Sequence, residues 1–215
     1  MTKLVIGVLG GTGDQGRGLA RRLSMAGHQV IIGSRDAARC AAAAAELGGG
    51  PVSGLVNDVA AASADIVIAA MPWEGHRDLL AALAAPLAGK VVIDCVNPMG
   101  FDERGAYALR VPEGSAAEQA AAVLPDSSVV GAFHHVPAGL LLDPATASVD
   151  MDVLVLGDDR AATDLVIAIA SEIPGMRGIY AGRLRNCGQV EALTANLVSI
   201  NRRYSAHAGI RITDV

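Results

Sequence analysis

Three glycines early in the chain have the spacing of a nucleotide-binding loop. Gly11, Gly13 and Gly16 form a G-x-G-x-x-G pattern that directly follows the apolar, strand-like run 4–9. The residues after the pattern, 16–26, have the composition of a helix. In this order the first glycine permits a tight turn, the second lets the backbone approach a pyrophosphate, and the third lets helix and strand pack closely. The pattern therefore predicts a dinucleotide site at the start of that helix.

The end of the next predicted strand indicates which nucleotide is bound. A site for NAD usually has an acidic residue there, bonded to the ribose 2′-hydroxyl. Here Ser34 and Arg35 occupy that place, and Arg39 lies one helical turn further on. A guanidinium can bind a 2′-phosphate through two hydrogen bonds, and a hydroxyl can add a third. We therefore predict NADP(H); the alternative is that Arg35 is an ordinary surface arginine. Either Ser34 or Asp36 is expected to cap the following helix.

Three further segments follow predicted strands, where ligands of such folds bind. In the first, Met71 and Pro72 are expected to wall the path from adenosine to nicotinamide, and Trp73 packs either beside a flat ligand or in the core. In the second, Asn97 offers a donor and an acceptor. Asp94 is expected to be a buried structural carboxylate or a turn former, and the alternative is a general base. The third segment is 134–137.

The third segment contains His134 and His135, which we predict as catalytic candidates. Adjacent residues on an extended strand point to opposite faces, so the two rings cannot readily chelate one metal, and we predict no metal site. One ring is expected to face the cleft, where it can hydrogen-bond or protonate a substrate. The alternative for each is a structural histidine. The chain has no nucleophile-elbow serine, P-loop lysine or paired carboxylates, which favours transfer between two redox cofactors that need mainly alignment.

The elements that must position these residues alternate between strand and helix, with a glycine-rich break at 48–51. Such alternation predicts an α/β fold of the Rossmann type, with a doubly wound, mostly parallel sheet. A composition change near Pro144 divides residues 1–143, the NADP-binding domain, from 144–215, a small α/β extension that ends in a long helix. That helix is expected to begin near Asn186, with an Asn186–Gln189 capping box. Its apolar stripe packs either in the core or at a subunit interface.

The predicted strands are 4–9, 30–33, 52–56, 66–70, 91–94, 129–133, 151–156 and 177–180, and the predicted helices include 37–47, 75–83, 115–123 and 161–172.

Composition excludes several classes of protein. A net charge of −5 argues against nucleic-acid binding, and no apolar run approaches the length of a membrane span. We find no leader pattern, and three widely spaced cysteines do not form a disulfide framework, so we expect a cytoplasmic protein. Residues 176–215 carry six arginines against two acidic residues. This basic segment indicates either an anionic ligand or ordinary surface arginines.

The sequence resembles the NADPH-dependent reductases of coenzyme F420, a deazaflavin, over essentially its whole length. The generic part of the resemblance is the glycine loop with Gly33-Ser34-Arg35. The resemblance also includes Met71-Pro72-Trp73-Glu74 and Asn97-Pro98. Its much more specific part comprises residues 133–137 and the C-terminal blocks 190–194, 201–204 and 207–211. The resemblance implies direct, reversible, metal-free hydride transfer between C4 of NADPH and C5 of F420. It also implies a homodimer or higher homo-oligomer.

The resemblance also assigns site residues. It implies that 12–15 hold the pyrophosphate and that Ser34, Arg35 and Arg39 hold the 2′-phosphate; the family commonly has lysine at the last position. Asp14 and Gln15 differ from the small or apolar residues often found there. Arg183, Arg185 and Arg202 are expected to contact the anionic tail of F420. The alternatives are another NADP-dependent reductase, such as a flavin, ferric or small-substrate reductase, and a non-catalytic NADP sensor. The residues implied to bind cofactors are Thr12, Gly13, Asp14, Gln15, Met71, His76, Val96, Ala138, His134, Pro137, Thr194 and Ile210.

Overall fold

An eight-stranded sheet organises the molecule, which we describe from a computed structural model for residues 2–48 and 50–215. The spatial order of the strands is β10-β9-β8-β5-β4-β1-β2-β3, and all neighbours are parallel except β8 and β9. The glycine break predicted at 48–51 lies partly outside the described residues. The strands of this sheet are β1 (Val5–Leu9), β2 (Gln29–Ser34), β3 (Val52–Val56), β4 (Ile66–Ala69), β5 (Val91–Asp94), β8 (Ser128–Gly131), β9 (Met151–Gly157) and β10 (Met176–Gly182).

The predicted α/β fold of the Rossmann type is confirmed, including the long C-terminal helix. All eight predicted strands are present, with ends that differ by a few residues. The last two strands extend the same sheet, since β8 pairs with β9 through Gly131 and Leu156. The described helices are α1 (Asp14–Met25), α2 (Ala37–Glu46), α3 (Asn57–Ser63), α4 (His76–Ala82), α5 (Ala84–Leu87), α6 (Ala116–Val123), α7 (Ala138–Leu142), α8 (Arg160–Ser171) and α9 (Cys187–Tyr204).

Several elements were not predicted. An antiparallel hairpin of β6 (Met99–Asp102) and β7 (Gly105–Ala108) lies in a segment for which no strand was predicted. The short helices α3, α5 and α7 were also missed, since each is too brief to show a helical period. At the start of α9 the predicted capping box is wrong, because the Asn186 side chain makes no capping hydrogen bond. In α6 the cap is present, because the Ser115 hydroxyl accepts from the Glu118 N–H at 2.9 Å.

Two apolar cores lie on opposite faces of the sheet, because successive strand residues point to opposite sides. On β1, Ile6 and Val8 belong to one core and Leu9 to the other. Both faces of the central strands are therefore buried, which explains why they are continuous apolar runs. None of the helices in the described part of the chain combines the length and hydropathy that crossing a membrane requires.

A buried arginine connects the first helix to α7. Arg22 of α1 is 1% exposed, and its guanidinium donates to the carbonyl oxygens of Leu140 and Leu141 at 2.5 and 2.9 Å. These carbonyls are the ones that a helix leaves without intrahelical partners at its C-terminus. The contact fixes α7 against α1, and Ala138 at the start of α7 lies on the cleft described below.

Candidate functional site

The carboxyl ends of β1, β2, β4 and β5 meet at the point where the strand order reverses, between β1 and β4. Open α/β sheets bind ligands at such a point. The loop from β1 to α1 carries the three glycines, and two of them have no room for a side chain. A Cβ at Gly11 would lie 2.5 Å from the Val8 carbonyl oxygen, and one at Gly16 would lie 2.5 Å from the Gly11 Cα.

Gly13 has a different environment, because a Cβ there would meet nothing within 4 Å. It precedes α1 as its capping residue and makes no side-chain hydrogen bond to the first turn. The N-terminal N–H groups of α1 therefore face open space and can receive an anion. Asp14, the first residue of α1, is exposed and pairs with Arg17 at 2.8 Å. The sequence's division of roles among the three glycines agrees with this geometry.

A cavity of about 550 Å³ opens in front of this loop. Arg35 and Arg39 are exposed on its wall beside Ser34, and no ion pair of either arginine is found among residues 2–48 and 50–215. Asp36 caps α2 by accepting from the N–H groups of Ala38 and Arg39 at 2.8 and 3.2 Å. The capping role thus falls to Asp36, and both arginines face the cavity. The cavity is lined by Gly10, Thr12, Gly13, Asp14, Gln15, Ser34, Arg35, Asp36, Arg39, Asn57, Ala70, Met71, Pro72, Glu74, Gly75 and Leu79.

Sequence reasoning missed Asn57 in this cavity. Its Oδ1 accepts from the Gly10 N–H at 3.2 Å, so it supports the turn, in which Gly10 has φ of +64°. The only available signal was its position directly after β3, at the same edge of the sheet.

A second cavity, of about 410 Å³, adjoins the first. The two share Gln15, Ala70, Met71 and Pro72, so they form one continuous cleft. Eleven predicted site residues line the second cavity, and α9 and the C-terminal tail contribute to its wall. The residues around it are Gln15, Ala70, Met71, Pro72, Trp73, Cys95, Val96, Asn97, Met99, His134, His135, Val136, Pro137, Ala138, Thr194, Leu197, Val198, Asn201 and Ala208.

The histidine segment is a turn and not an extended strand, which corrects the geometry assumed from the sequence. β8 ends at Gly131, and the buried Phe133 has φ of +63°, a strained conformation for a non-glycine residue. The Phe133 carbonyl oxygen accepts from Nε2 of Gln15 at 3.2 Å. Because of this turn, His134 and His135 both border the second cavity.

His134 is the stronger candidate for contact with a ligand. Its side chain is buried, and neither ring nitrogen has a hydrogen-bond partner among the described residues. Burial lowers the pKa of His134 to about 4. Burial and the neighbouring His134 likewise lower the pKa of His135 to about 4, and its Nε2 lies 3.4 Å from the Leu154 N–H. Both imidazoles are therefore neutral near pH 7 and are suited to hydrogen bonding.

Asn97 and Thr194 connect the strand loops to α9. Nδ2 of Asn97 donates to the His134 carbonyl oxygen at 2.7 Å, and the Thr194 hydroxyl lies 3.2 Å from the same oxygen. The carboxamide oxygen of Asn97 lies 3.5 Å from the Thr194 hydroxyl. These contacts fix the backbone of His134 at the edge of the second cavity.

The structure corrects the implied position of His76, which lines neither cavity. Its side chain is completely buried, with Nε2 2.7 Å from the Asp94 carboxylate and Nδ1 3.1 Å from the Gln119 carboxamide oxygen. Its ring lies behind that of Trp73, with 5.6 Å between the centroids. His76 therefore supports the cleft from beneath. Trp73 is half-buried and borders the second cavity.

Four other residues expected to contact F420 lie outside the lining of both cavities, namely Arg183, Arg185, Arg202 and Ile210. Arg185 is exposed on a short 3-10 turn before α9. Ile210 is half-buried in the tail, where its carbonyl oxygen accepts from the Asp152 N–H at 2.7 Å. Their predicted contacts with a cofactor stay predictions.

A buried carboxylate not considered from the sequence lies near the cleft. Glu191 of α9 accepts from the N–H groups of Ala116 and Ala117, the first residues of α6, at 2.9 and 3.2 Å. Burial raises the pKa of Glu191 to about 7, despite these hydrogen bonds. Among the described residues, no group of three or more His, Cys, Asp and Glu side chains is arranged to hold a metal ion.

Comparison with known proteins identifies relatives over nearly the full chain. The family model described as NADP oxidoreductase, coenzyme F420-dependent, matches residues 5–98. The F420-dependent NADP reductase of Methanothermobacter marburgensis is 40% identical over 221 residues, which cover 98% of each chain. That of Methanocaldococcus jannaschii is 38% identical with the same coverage. A crystal structure from an Arthrobacter species, provisionally assigned as an F420-dependent NADP reductase, has a TM-score of 0.81 and 28% identity, covering 97% of this chain and 98% of that one.

Proposed function

The chain belongs to the family of F420-dependent NADP reductases, and on this premise we propose that it transfers a hydride directly and reversibly between NADPH and coenzyme F420. The main structural support for this proposal is the continuous cleft. Its first part has two arginines for which no carboxylate partner is found among residues 2–48 and 50–215, and its second part has two neutral buried histidines. The two parts meet at Gln15, Ala70, Met71 and Pro72, where two reacting rings would have to meet.

The first cavity fits NADP(H) by its donor set. The open space at Gly13 and the N-terminus of α1 suit a pyrophosphate, while Arg35, Arg39 and Ser34 suit a 2′-phosphate. The exposed Asp14 carboxylate next to this path pairs with Arg17, which also pairs with Glu46. Because an acidic residue at the end of β2 is replaced by Ser34, NADPH is the expected partner and NADH a poor substitute.

The second cavity fits the deazaflavin ring of F420. Its walls are mainly apolar, with Trp73, Val96 and Pro137 beside the polar groups of His134, Asn97 and Thr194. Neither ring nitrogen of His134 has a hydrogen-bond partner among the described residues, although both are buried. We propose that F420 lies here, and that Arg185 and Ile210 contact it from the C-terminal part.

The nicotinamide supplies the hydride chemistry when bound, and the residues of the chain position the reactants and exclude water. Met71 and Pro72 lie where the two cavities join. The turn at Phe133, which Gln15 holds by a hydrogen bond, places His134 on the border of the second cavity. Holding two reacting carbons near contact distance contributes about 7–11 kcal/mol to lowering such a barrier. His134 stays neutral at pH 7, so its role is to donate or accept a hydrogen bond.

We further propose the following division of the molecule. Residues 1–143 provide the NADP site, and residues 144–215 complete the F420 site. The exposed Leu193, Ile200 and Tyr204 on α9 support a homo-oligomer, and the buried free cysteines are consistent with the reducing cytoplasm. The partners are thus small redox cofactors, with no nucleic acid and no membrane.

The proposal is tested by mixing the purified protein with NADPH and oxidised F420 and following the visible absorbance of the deazaflavin. Rapid bleaching with NADPH, and much slower bleaching with NADH, is expected. FMN and FAD serve as alternative acceptors. If NADPH binds but F420 is not bleached, the proposed acceptor is wrong, and bleaching of FMN or FAD would identify a flavin reductase instead.

A further inference from the structure

The C-terminal tail, which we define as residues 206–215, forms part of the wall of the second cavity. α9 ends at Tyr204, and Ser205 has φ of +50°, which reverses the chain. After the reversal, the Ala208 N–H donates to Oδ1 of Asn201 at 2.6 Å. Both of these residues line the second cavity. The shape of this wall therefore depends on where the tail is held.

One buried carboxylate holds most of the tail. Asp152 lies on β9 and is 0% exposed. Its carboxylate accepts from the Ile212 N–H at 2.7 Å and from Nη1 of Arg211 at 2.8 Å, and its own N–H donates to the Ile210 carbonyl oxygen at 2.7 Å. Three consecutive tail residues thus bond to a single side chain and its backbone.

A second arginine completes the anchor. Arg177 of β10 donates to both oxygens of Asp152, each at 2.7 Å, in a bidentate pair. The same guanidinium donates to the carbonyl oxygens of Ile212 and Val215, both at 2.9 Å. Arg177 therefore links the carboxylate to the end of the tail, and lowers the pKa of Asp152.

We propose that Asp152 is a positioning residue, which holds the tail against β9 so that the wall of the second cavity is in place for F420. Because it names F420 as the ligand of the second cavity, this part of the proposal rests on the proposed function. A buried carboxylate is costly unless it is paired and hydrogen-bonded, and here every partner described belongs to the tail or bonds to it. Asp152 is thus placed to fix the tail.

The loss of the Asp152 carboxylate is expected to affect the tail and not the rest of the fold, because Arg177 and Arg211 lie at the surface. The side chains of Arg177 and Arg211 are 42% and 39% exposed, so water can solvate both when Asp152 is neutralised. Arg211 then keeps its ion pair with Asp150 and its hydrogen bond to the Gly175 carbonyl oxygen, and the tail loses the contacts that Asp152 makes with Arg211 and Ile212. Loss of the anchor is therefore expected to release the tail and leave the sheet folded. The NADP cavity is lined by residues from the N-terminal half of the chain, none of them in the tail, and is expected to stay unchanged.

The test compares Asp152→Asn with Asp164→Asn, which removes an exposed carboxylate from α8. Hydrogen exchange of residues 206–215, followed by mass spectrometry without any ligand, measures tail anchoring. We expect exchange in the tail to accelerate by about tenfold or more in Asp152→Asn and to stay unchanged in Asp164→Asn. Arg211→Gln, which alters the tail and leaves β9 intact, should accelerate exchange in the same direction if the anchor is real.

Steady-state kinetics then measure the role of the wall. In Asp152→Asn the KM for F420 should rise about tenfold while the dissociation constant for NADPH stays within about twofold. Unchanged tail exchange in both Asp152→Asn and Arg211→Gln would overturn the anchor, whatever the substrate. A released tail with an unchanged KM for F420 would overturn the role of the wall. A wild-type protein that does not reduce F420 would refute the proposed function and the ligand named here, while the exchange data would still decide the anchor.

Discussion

The Asp94 carboxylate lies 2.7 Å from Nε2 of His76, and both side chains are completely buried beneath the cleft. The other oxygen of Asp94 accepts from the Val96 N–H at 3.0 Å. Burial alone lowers the pKa of His76, but the hydrogen bond and charge of Asp94 outweigh it, and the pKa is raised. The pair therefore connects α4 to the loop that carries Val96 and Asn97 on the wall of the second cavity.

We predict that Asp94→Ala lowers the free energy of unfolding by about 3–5 kcal/mol, because it leaves a buried imidazole and a buried N–H without their acceptor. Asp94→Asn retains one acceptor oxygen and should cost less. Urea denaturation of both variants measures the difference. Equal, small losses in the two variants would show that the pair does not support this loop.

The raised pKa of Glu191 predicts a pH dependence of stability. Its pKa of about 7 exceeds the ordinary value of 4.5, so its contribution to stability is complete below about pH 4.5 and is lost as the pH rises through 7. One pKa unit corresponds to about 1.4 kcal/mol. The free energy of unfolding of Glu191→Gln, relative to that of the wild type, should therefore rise by about 3 kcal/mol between about pH 5 and pH 9. The variant keeps an oxygen that can accept from Ala116 and Ala117.

Denaturant unfolding at both pH values measures this difference. Glu103→Gln, which alters an exposed carboxylate of the β6–β7 hairpin, is the matched control and should follow wild type. A constant difference between Glu191→Gln and wild type at the two pH values would contradict the prediction.

Arg35 is predicted to select NADPH over NADH. A hydrogen bond to a charged group contributes about 1.5–3 kcal/mol, so Arg35→Ala should lower kcat/KM for NADPH by about 10- to 100-fold and leave the value for NADH nearly unchanged. Arg160→Ala, at an exposed position on α8, controls for loss of a positive charge. An equal loss with both nucleotides would mean that Arg35 does not bind the 2′-phosphate.

Gln15 is predicted to couple the glycine loop to the histidine turn. Its Nε2 lies 3.2 Å from the Phe133 carbonyl oxygen, and the residue borders both cavities. A neutral hydrogen bond contributes about 0.5–1.5 kcal/mol, so Gln15→Ala should lower kcat/KM for F420 by about 3- to 10-fold. Gln15→Glu should lose more, since it sets a carboxylate against a carbonyl oxygen. Gln29→Ala, at the exposed start of β2, is the control; equal activity of Gln15→Glu and wild type would refute the coupling.

The strands of the sheet and the glycine loop of the first cavity could be predicted from the sequence, because each is specified by residues that are close together in the chain. Apolar runs gave the strands, and glycine spacing gave a loop whose steric requirements at Gly11 and Gly16 are visible in the structure. Asp36 was recognised as a possible cap because capping depends on residues two and three positions further on.

The rest could not be predicted, because it depends on contacts between distant residues. The positive φ of Phe133 turned His134 and His135 away from the extended geometry assumed for them. His76 matched a family motif, but its ring is directed inward by Asp94 and Gln119, which no local pattern reveals. The β6–β7 hairpin has weak strand propensity and packs against α9.

Isotope transfer tests the central claim, direct hydride transfer, most directly. NADPH carrying deuterium at C4, prepared separately in each of its two configurations, is incubated in ordinary water with oxidised F420 and the protein. We predict that with one of the two preparations the reduced F420, examined by mass spectrometry and NMR, carries the deuterium at C5. Reduced F420 containing only hydrogen from the solvent with both preparations would contradict direct transfer.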